Sequence, residues 1–215
     1  MKKLTEQRGA SILMALLLVL LAVVVSTVIL TAAVSAARQL RIDRETQQNY
    51  LTVSSAAELV RESILADSYV RTVTVERDET GAERSSDTWI QSPDGLLGPW
   101  LSLGIDDNGN PKEYTATLYL QVEENKKLGK VKLDFFMSGY DVSKSGYDVS
   151  MSGYNVFVVL SLADVSGAAD DCRMKLWLEG TSVTSPPAEI SGEKTSLTTT
   201  TQTVKWSNAR IEKGG

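Results

Sequence analysis

The chain has 215 residues, 23% of them charged, with no histidine, one cysteine and a formal net charge of −5. The lack of histidine excludes the commonest general base and metal ligand, and a single cysteine excludes an intramolecular disulfide and every two-cysteine metal or redox motif. The acidic balance argues against nucleic-acid binding, because a basic surface usually carries that function.

The amino-terminal region contains one long uncharged segment. Of the 28 residues from Ala10 to Ala37, 23 are apolar, and no charged residue interrupts them. As a helix this segment would measure ~42 Å, which exceeds the ~30 Å hydrocarbon core of a bilayer. It has no polar face, so the sequence predicts a helix that is inserted in a membrane. A secretory signal peptide fits less well, since its apolar region spans only ~7–15 residues.

A short basic leader, MKKLTEQRG, precedes the apolar segment and ends at Gly9. This junction resembles the leader of type IV pilins and type II secretion pseudopilins, which a membrane-embedded prepilin peptidase cleaves after the glycine. The resemblance implies cleavage between Gly9 and Ala10, with methylation of the new amino terminus. The plain alternative is a single-pass signal anchor that keeps its leader.

The first mature residues depart from the pattern of major pilins. That family usually has an aromatic residue first and a glutamate fifth, whereas this chain has Ala10 and Met14. The run Arg8-Gly9-Ala10 is more similar to divergent minor pilins and K-type minor pseudopilins. The missing carboxylate implies a place at the tip of a filament, or in an initiating complex, rather than repeated use along its shaft.

The helix is predicted to continue beyond the membrane. No proline or glycine occurs between Arg38 and Gly81, and one apolar stripe recurs at spacings of three and four residues: Tyr50, Val53, Ala57, Val60 and Ile64. This stripe predicts an amphipathic packing face on a single helix from about Ala10 to about Ala66, with residues 38–49 as a solvated neck. A separate helix that begins the soluble domain is the alternative.

From Tyr69 onward the pattern changes to the period of two that is typical of strands. Alternation at 73–75, 114–122, 131–135 and 173–178, together with a threonine-rich segment at 195–206, predicts an antiparallel sheet of about six or seven strands. The segment 156–162 is apolar on both faces, which indicates a central strand. Turn signals separate these segments at Gly81, Asp94-Gly95, Asn108-Gly109, Gly129 and Pro186-Pro187.

Two further features have a structural and a functional interpretation. The apolar cluster Leu96, Leu97, Trp100, Leu101 and Leu103 predicts a core-forming loop or short helix, with a partner-binding patch as the alternative. Three copies of one heptapeptide fill residues 137–157, beginning Met137-Ser-Gly-Tyr-Asp-Val-Ser. An odd period cannot keep one face of a single strand buried, so the repeat is interpreted as a duplication that lengthens a hairpin, with a contact surface as the alternative.

Candidate chemical groups are few. Asp106-Asp107-Asn108-Gly109-Asn110 resembles the start of a calcium loop, but Pro111 stands where such a loop needs glycine, so a hairpin turn is the better interpretation. Asp164, Asp170 and Asp171 are expected to be a solvated loop. Cys172 is expected to be a buried core residue, since no histidine is present to activate it. No enzyme motif occurs, so we predict that the chain is not an enzyme and binds no cofactor or metal.

The predicted class is α+β, a long amino-terminal helix with a membrane half and an amphipathic half packed on an antiparallel sheet, as in pilins. Four regions follow: leader 1–9, membrane helix 10–37, amphipathic continuation 38–67 and extracytoplasmic β-rich domain 68–215. The resemblance implies a minor pilin-like subunit in the cytoplasmic membrane and in cell-surface filaments. Its implied partners are other pilin subunits, the prepilin peptidase, a membrane assembly platform and the bilayer. The alternative is a membrane-anchored surface binding module outside any filament.

Overall fold

The computed structural model describes residues 2–121, 130–137, 153–163, 172–192 and 194–214, with side chains described from Ser11 onward. The chain divides into two structural units, Met1–Gln47 and Gln48–Gly215. Its elements in chain order are α1 (Lys2–Ala66), β1 (Ser68–Asp78), β2 (Glu83–Gln91), α2 (Gly98–Leu103), β3 (Tyr114–Leu120), β4 (Val131–Met137), β5 (Val156–Leu162), β6 (Met174–Thr184), β7 (Ala188–Ser191) and β8 (Thr195–Lys213).

The first element, α1, is a helix of 65 residues. The predicted continuation of the helix through residues 38–49 is confirmed. This segment has no proline or glycine, and eight of its 12 residues are Arg, Gln, Leu or Glu, which favour helices. The helix begins at Lys2 instead of near Ala10, so the leader is helical as well. It ends at Ala66, beyond which the Asp67 amide donates to the Ile64 carbonyl oxygen at 3.2 Å and the chain enters β1.

The described residues contain eight strands in one antiparallel sheet of order β2-β1-β8-β6-β5-β4-β3, with β7 paired to β8 beyond the end of β6. The longest of the described strands is β8, which has 19 residues and pairs β1 on one side and β6 and β7 on the other. The prediction of a long apolar amino-terminal helix followed by an antiparallel sheet is therefore confirmed. The position predicted for 156–162 is also confirmed, since β5 lies between β4 and β6.

Two strands, β2 and β7, were not expected, and the count of six or seven was therefore too low. Every residue of both strands is exposed, so neither carries an alternation of buried and exposed positions that a sequence pattern can reveal. β2 is a strand because it pairs with β1, and this pairing begins with Val70 opposite Gln91. The predicted turn at Gly81, whose φ is +81°, connects the two strands. Glycine adopts this left-handed conformation without steric cost.

The second unit has one hydrophobic core, formed by the last turns of α1, the region around α2 and one face of the sheet. Burial of each large apolar side chain there contributes ~1.5–3 kcal/mol relative to exposure. The largest of the fully buried side chains among the described residues are Val53, Val60, Ile64, Leu97, Leu101, Leu133, Phe135, Met137, Leu160, Leu176 and Leu178.

The opposite face of the sheet carries a row of aromatic residues. Phe136, Phe157 and Trp177 are direct cross-strand neighbours on β4, β5 and β6, with successive ring centroids 6.1 and 6.0 Å apart. Phe136 and Phe157 are only 7% and 3% exposed. The middle strand of these three, β5, is therefore buried on both faces, which explains why it lacks the polar alternation of a half-exposed strand.

Candidate membrane and packing surfaces

The apolar part of α1 is long and apolar enough to cross a membrane. No other described part of the chain buries this apolar part. The exposed fractions of its side chains include 69% for Ile12, 56% for Leu21 and 64% for Leu30. Such a surface on every side of a helix is unfavourable in water, because soluble proteins rarely expose large contiguous apolar patches. Apolar surroundings would suit this segment, and the described part of the chain does not provide them.

Polar side chains within this segment bond to their own helix. Thr27 Oγ1 donates to the carbonyl oxygens of Val23 and Val24, both at 2.8 Å, and Thr31 Oγ1 donates to that of Thr27 at 2.8 Å. In a bilayer no water is present to satisfy a hydroxyl group, so these internal bonds make the two threonines compatible with a hydrocarbon environment.

The predicted processing positions, Gly9 and Ala10, both lie within α1. Their backbone is helical, whereas proteases bind their substrates in extended form. Glycine is ~1 kcal/mol less favourable than alanine in a helix, so the first turns are easier to unwind at Gly9 than elsewhere in this segment.

The predicted packing stripe divides into buried and exposed members. Val53, Ala57, Val60 and Ile64 have no exposed surface and belong to the core of the second unit. Tyr50, at the start of the stripe, is 39% exposed, and its ring lies 5.7 Å from Lys213 Nζ at the end of β8. Tyr50 therefore lies at the rim of the core, where an aromatic ring can attract a nearby cation.

The apolar cluster near residue 100 forms α2 and the turn before it. Leu97 and Leu101 are buried in the core, which confirms the core-forming interpretation for these two residues, while Leu96 and Leu103 are 44% and 52% exposed. The end of α1 holds this turn in place: the Gly95 amide donates to both carboxylate oxygens of Asp67, at 3.1 and 3.0 Å.

The loop at Asp106 is a closed turn that uses its own carboxylate. Asp106 Oδ1 accepts hydrogen bonds from the backbone amides of Asn108 and Asn110 at 2.9 and 2.7 Å, and Ile105 and Pro111 form a bridge at its base. The hydrogen bond from the backbone amide of Asn110 lowers the pKa of the Asp106 carboxyl below its ordinary value. The bonds from the Asn110 side chain and from the backbone amide of Asn108 lower this pKa further. The predicted turn at Asn108-Gly109 is thus present, as a short loop closed by one bridge instead of a hairpin between two strands.

We expect Asp106→Ala to destabilise the second unit at neutral pH and to have less effect in acid. Because the folded state lowers the pKa of this carboxyl, its contribution is fully present above its unfolded pKa of ~3.9 and is lost as the pH falls through the lower folded pKa. Urea unfolding of wild type and variant at neutral pH and near pH ~3 measures this difference. A difference in midpoint that is equal at both pH values would contradict the assignment.

Other candidate groups are placed as follows. Cys172 is 3% exposed and belongs to the core. Asp164, Asp170 and Asp171 lie outside the described residues, as do Gly129 and most of the heptapeptide repeat. Among the residues that the structure describes, no three Asp, Glu, Cys or His side chains are grouped closely enough to hold a metal ion.

The third copy of the repeat ends within the described residues and has contacts that its sequence did not indicate. Tyr154 Oη donates to the Gly109 carbonyl oxygen at 2.7 Å, and Gln202 Nε2 donates to the same oxygen at 3.1 Å. Arg71 Nε donates to the Asp107 carbonyl oxygen at 3.0 Å. These bonds fasten the Asp106 loop to the sheet.

No family model, no curated protein and no solved structure matches the chain.

Proposed function

We propose that the protein is a minor pilin-like or pseudopilin-like structural subunit of a type IV pilus or type II secretion-like filament. The observation that carries this proposal is the junction at Gly9, where a short basic leader ends in glycine directly before an apolar segment of 28 residues. The layout supports it: α1 continues to Ala66, and its last turns pack on an antiparallel sheet. In this role the protein acts by assembly and carries out no catalysis.

The proposed mechanism is the transfer of one apolar helix between two apolar environments. Before assembly the bilayer covers the exposed side chains of residues 11–37; after assembly the corresponding helices of other subunits cover them. Association of helices in such surroundings depends on close van der Waals packing, which small side chains permit. Small residues in this segment that allow a close approach are Ala22, Ser26, Ala32 and Ala33.

The first mature residues favour a place at the tip or in an initiating complex. Cleavage after Gly9 would leave a charged amine on Ala10, and an unpaired charge among apolar helices costs several kcal/mol. Met14 offers no carboxylate to neutralise the amine of a neighbouring subunit. A subunit of this kind is better suited to one position in an assembly than to many successive ones.

Amino-terminal sequencing of the protein from its native membranes tests the proposal. We expect the mature chain to begin at Ala10, with a methylated amine, and Gly9→Leu to retain the leader, because a bulky side chain obstructs the cleavage site. An intact Met1 in the wild type would instead identify the alternative, a membrane-anchored surface module. A chain that begins near Arg38 would identify a secreted protein.

The same material tests the position in the filament. Quantitative mass spectrometry of purified filaments is expected to find this subunit at a small fraction of the major subunit. Incorporation along the whole shaft would contradict the tip assignment while leaving the filament role intact.

A further inference from the structure

Three arginines follow the apolar segment of α1 at once, and we refer to Arg38, Arg41 and Arg44 as the arginine belt. All three are exposed on the helix. A spacing of three residues places them along one side of a helix, because each turn has ~3.6 residues. The belt lies wholly within the first structural unit, in which no other element of the chain is present.

The height of the belt follows from the length of the segment before it. Residues 11–37 form a helix ~40 Å long, which matches the ~40–45 Å thickness of a bilayer with its headgroups. If this segment spans the membrane, Arg38 lies at the level of the headgroups, and Arg41 and Arg44 lie ~4.5 and ~9 Å further along the axis. A long arginine side chain can reach back toward the bilayer from these positions.

The nearest acidic residue, Asp43, lies further from the bilayer than Arg38 and Arg41, although nearer than Arg44. Asp43 and Glu45 follow Arg38 by ~7.5 and ~10.5 Å along the helix axis. Glu45 pairs with Arg41 at 3.2 Å between Oε1 and Nε, with both side chains largely exposed. The helix positions three and four residues from Arg38 hold Val34, Ser35, Arg41 and Ile42, so no carboxylate on its own helix neighbours Arg38. The charge closest to the membrane is therefore positive.

This arrangement opposes the usual bias of membrane topology. Basic residues favour the cytoplasmic side, where the leader has Lys2, Lys3 and Arg8, yet the belt lies at the opposite end of the same segment. The orientation of α1 in the membrane would be more favourable if anions at the surface beside the arginine belt compensated the charges of the arginines. Phosphodiester groups are suitable, because a guanidinium group binds phosphate oxygens in a bidentate manner.

We propose that the arginine belt binds the headgroups of anionic phospholipids at the surface where residues 38–44 leave the bilayer, and thereby fixes the depth of α1. This inference rests on the membrane placement in the proposed function. The partner is the lipid headgroup and not free phosphate, because only a headgroup is held at the height of Arg38. A carboxylate of a neighbouring subunit would be the competing partner, and it would act without any dependence on lipid.

The test uses the full chain reconstituted in vesicles that contain phosphatidylcholine with a minor share of phosphatidylglycerol. Spin-labelled analogues of the two lipids report which one is enriched beside the protein. We expect phosphatidylglycerol to be preferred, and Arg38→Gln to lower the preference about fivefold, as one basic residue near a membrane surface contributes. Arg38→Lys keeps the charge and is expected to retain most of the preference, and Arg84→Gln on β2 is expected to retain all of it.

Two controls identify the source of any effect. Added inorganic phosphate is expected to weaken the preference no more than chloride at equal ionic strength, since both only screen the belt. Equal enrichment of both lipids, or a preference that Arg38→Gln leaves unchanged, would overturn the proposal. Extraction of the protein by alkaline carbonate would instead show that α1 does not span the membrane, which would refute the proposed placement itself.

Discussion

Val60→Asp is expected to unfold the second structural unit, while Leu59→Asp, one residue earlier on the same helix, is expected to leave it folded. Val60 has no exposed surface and belongs to the core between α1 and the sheet, whereas Leu59 is 54% exposed. An unpaired carboxylate in that core costs several kcal/mol, which is comparable with the ~5–15 kcal/mol that stabilises a typical domain.

A milder pair of variants measures how firmly the stripe packs. Ile64→Ala removes a side chain with no exposed surface and is expected to lower the free energy of unfolding by ~2–5 kcal/mol. Leu65→Ala, at a position that is 41% exposed, is expected to cost much less. Urea unfolding of the full chain in detergent micelles, followed by the fluorescence of its four tryptophans, gives both values. Equal losses in the two variants would contradict a packed stripe at 53, 57, 60 and 64.

The sequence could predict those elements whose burial imposes a period. The stripe on α1 recurs at helical spacing because one side of the helix is buried, and β3 alternates because one of its faces is covered. The same reasoning fails for β2 and β7, which are exposed on both faces. β2 and β7 form by pairing with β1 and β8. Backbone pairing alone does not produce an alternation of apolar and polar residues in the sequence.

The candidate surfaces divide in the same way. The apolar segment of α1 was predictable from composition alone, and the Asp106 turn from its local sequence. The contacts that fasten this turn to the sheet were not, because Tyr154 and Gln202 reach Gly109 across 45 and 93 residues of sequence. Tyr50 has the spacing of the packing stripe but is exposed, because the buried core on α1 begins about one turn later, at Val53.

Tyr154 also lies against a glycine on β6. Gly180 lies opposite Trp206 of β8, and its amide donates to Asn155 Oδ1 at 3.1 Å. The Tyr154 carbonyl oxygen passes so close to Gly180 that an added Cβ would overlap it. The same oxygen accepts a hydrogen bond from Trp206 Nε1 at 2.9 Å. Glycine is therefore required here for a close approach of two backbone segments and not for an unusual φ.

We expect Gly180→Ala to destabilise the second unit by ~1–3 kcal/mol through steric overlap, with a further ~1 kcal/mol if the bond between Trp206 and Tyr154 is lost. A shift in tryptophan fluorescence under native conditions is expected as well, because a displaced carbonyl oxygen leaves the Trp206 indole nitrogen without its acceptor. Gly192→Ala is the comparison variant and is expected to cost less, because its Cβ would lie 3.2 Å from the Thr195 carbonyl oxygen, a tight contact that a small shift relieves.

The double variant with Tyr154→Phe separates a local clash from a displaced chain. Tyr154→Phe alone removes the hydrogen bond that the hydroxyl group donates to the Gly109 carbonyl oxygen and the one that it accepts from Gln202 Nε2, and is expected to cost ~1 kcal/mol or more. If Gly180→Ala displaces residue 154, these bonds are already weakened, so the two losses should sum to less than expected for independent sites. Strict additivity, together with unchanged tryptophan fluorescence, would show that the strand accommodates the added methyl group without moving Tyr154.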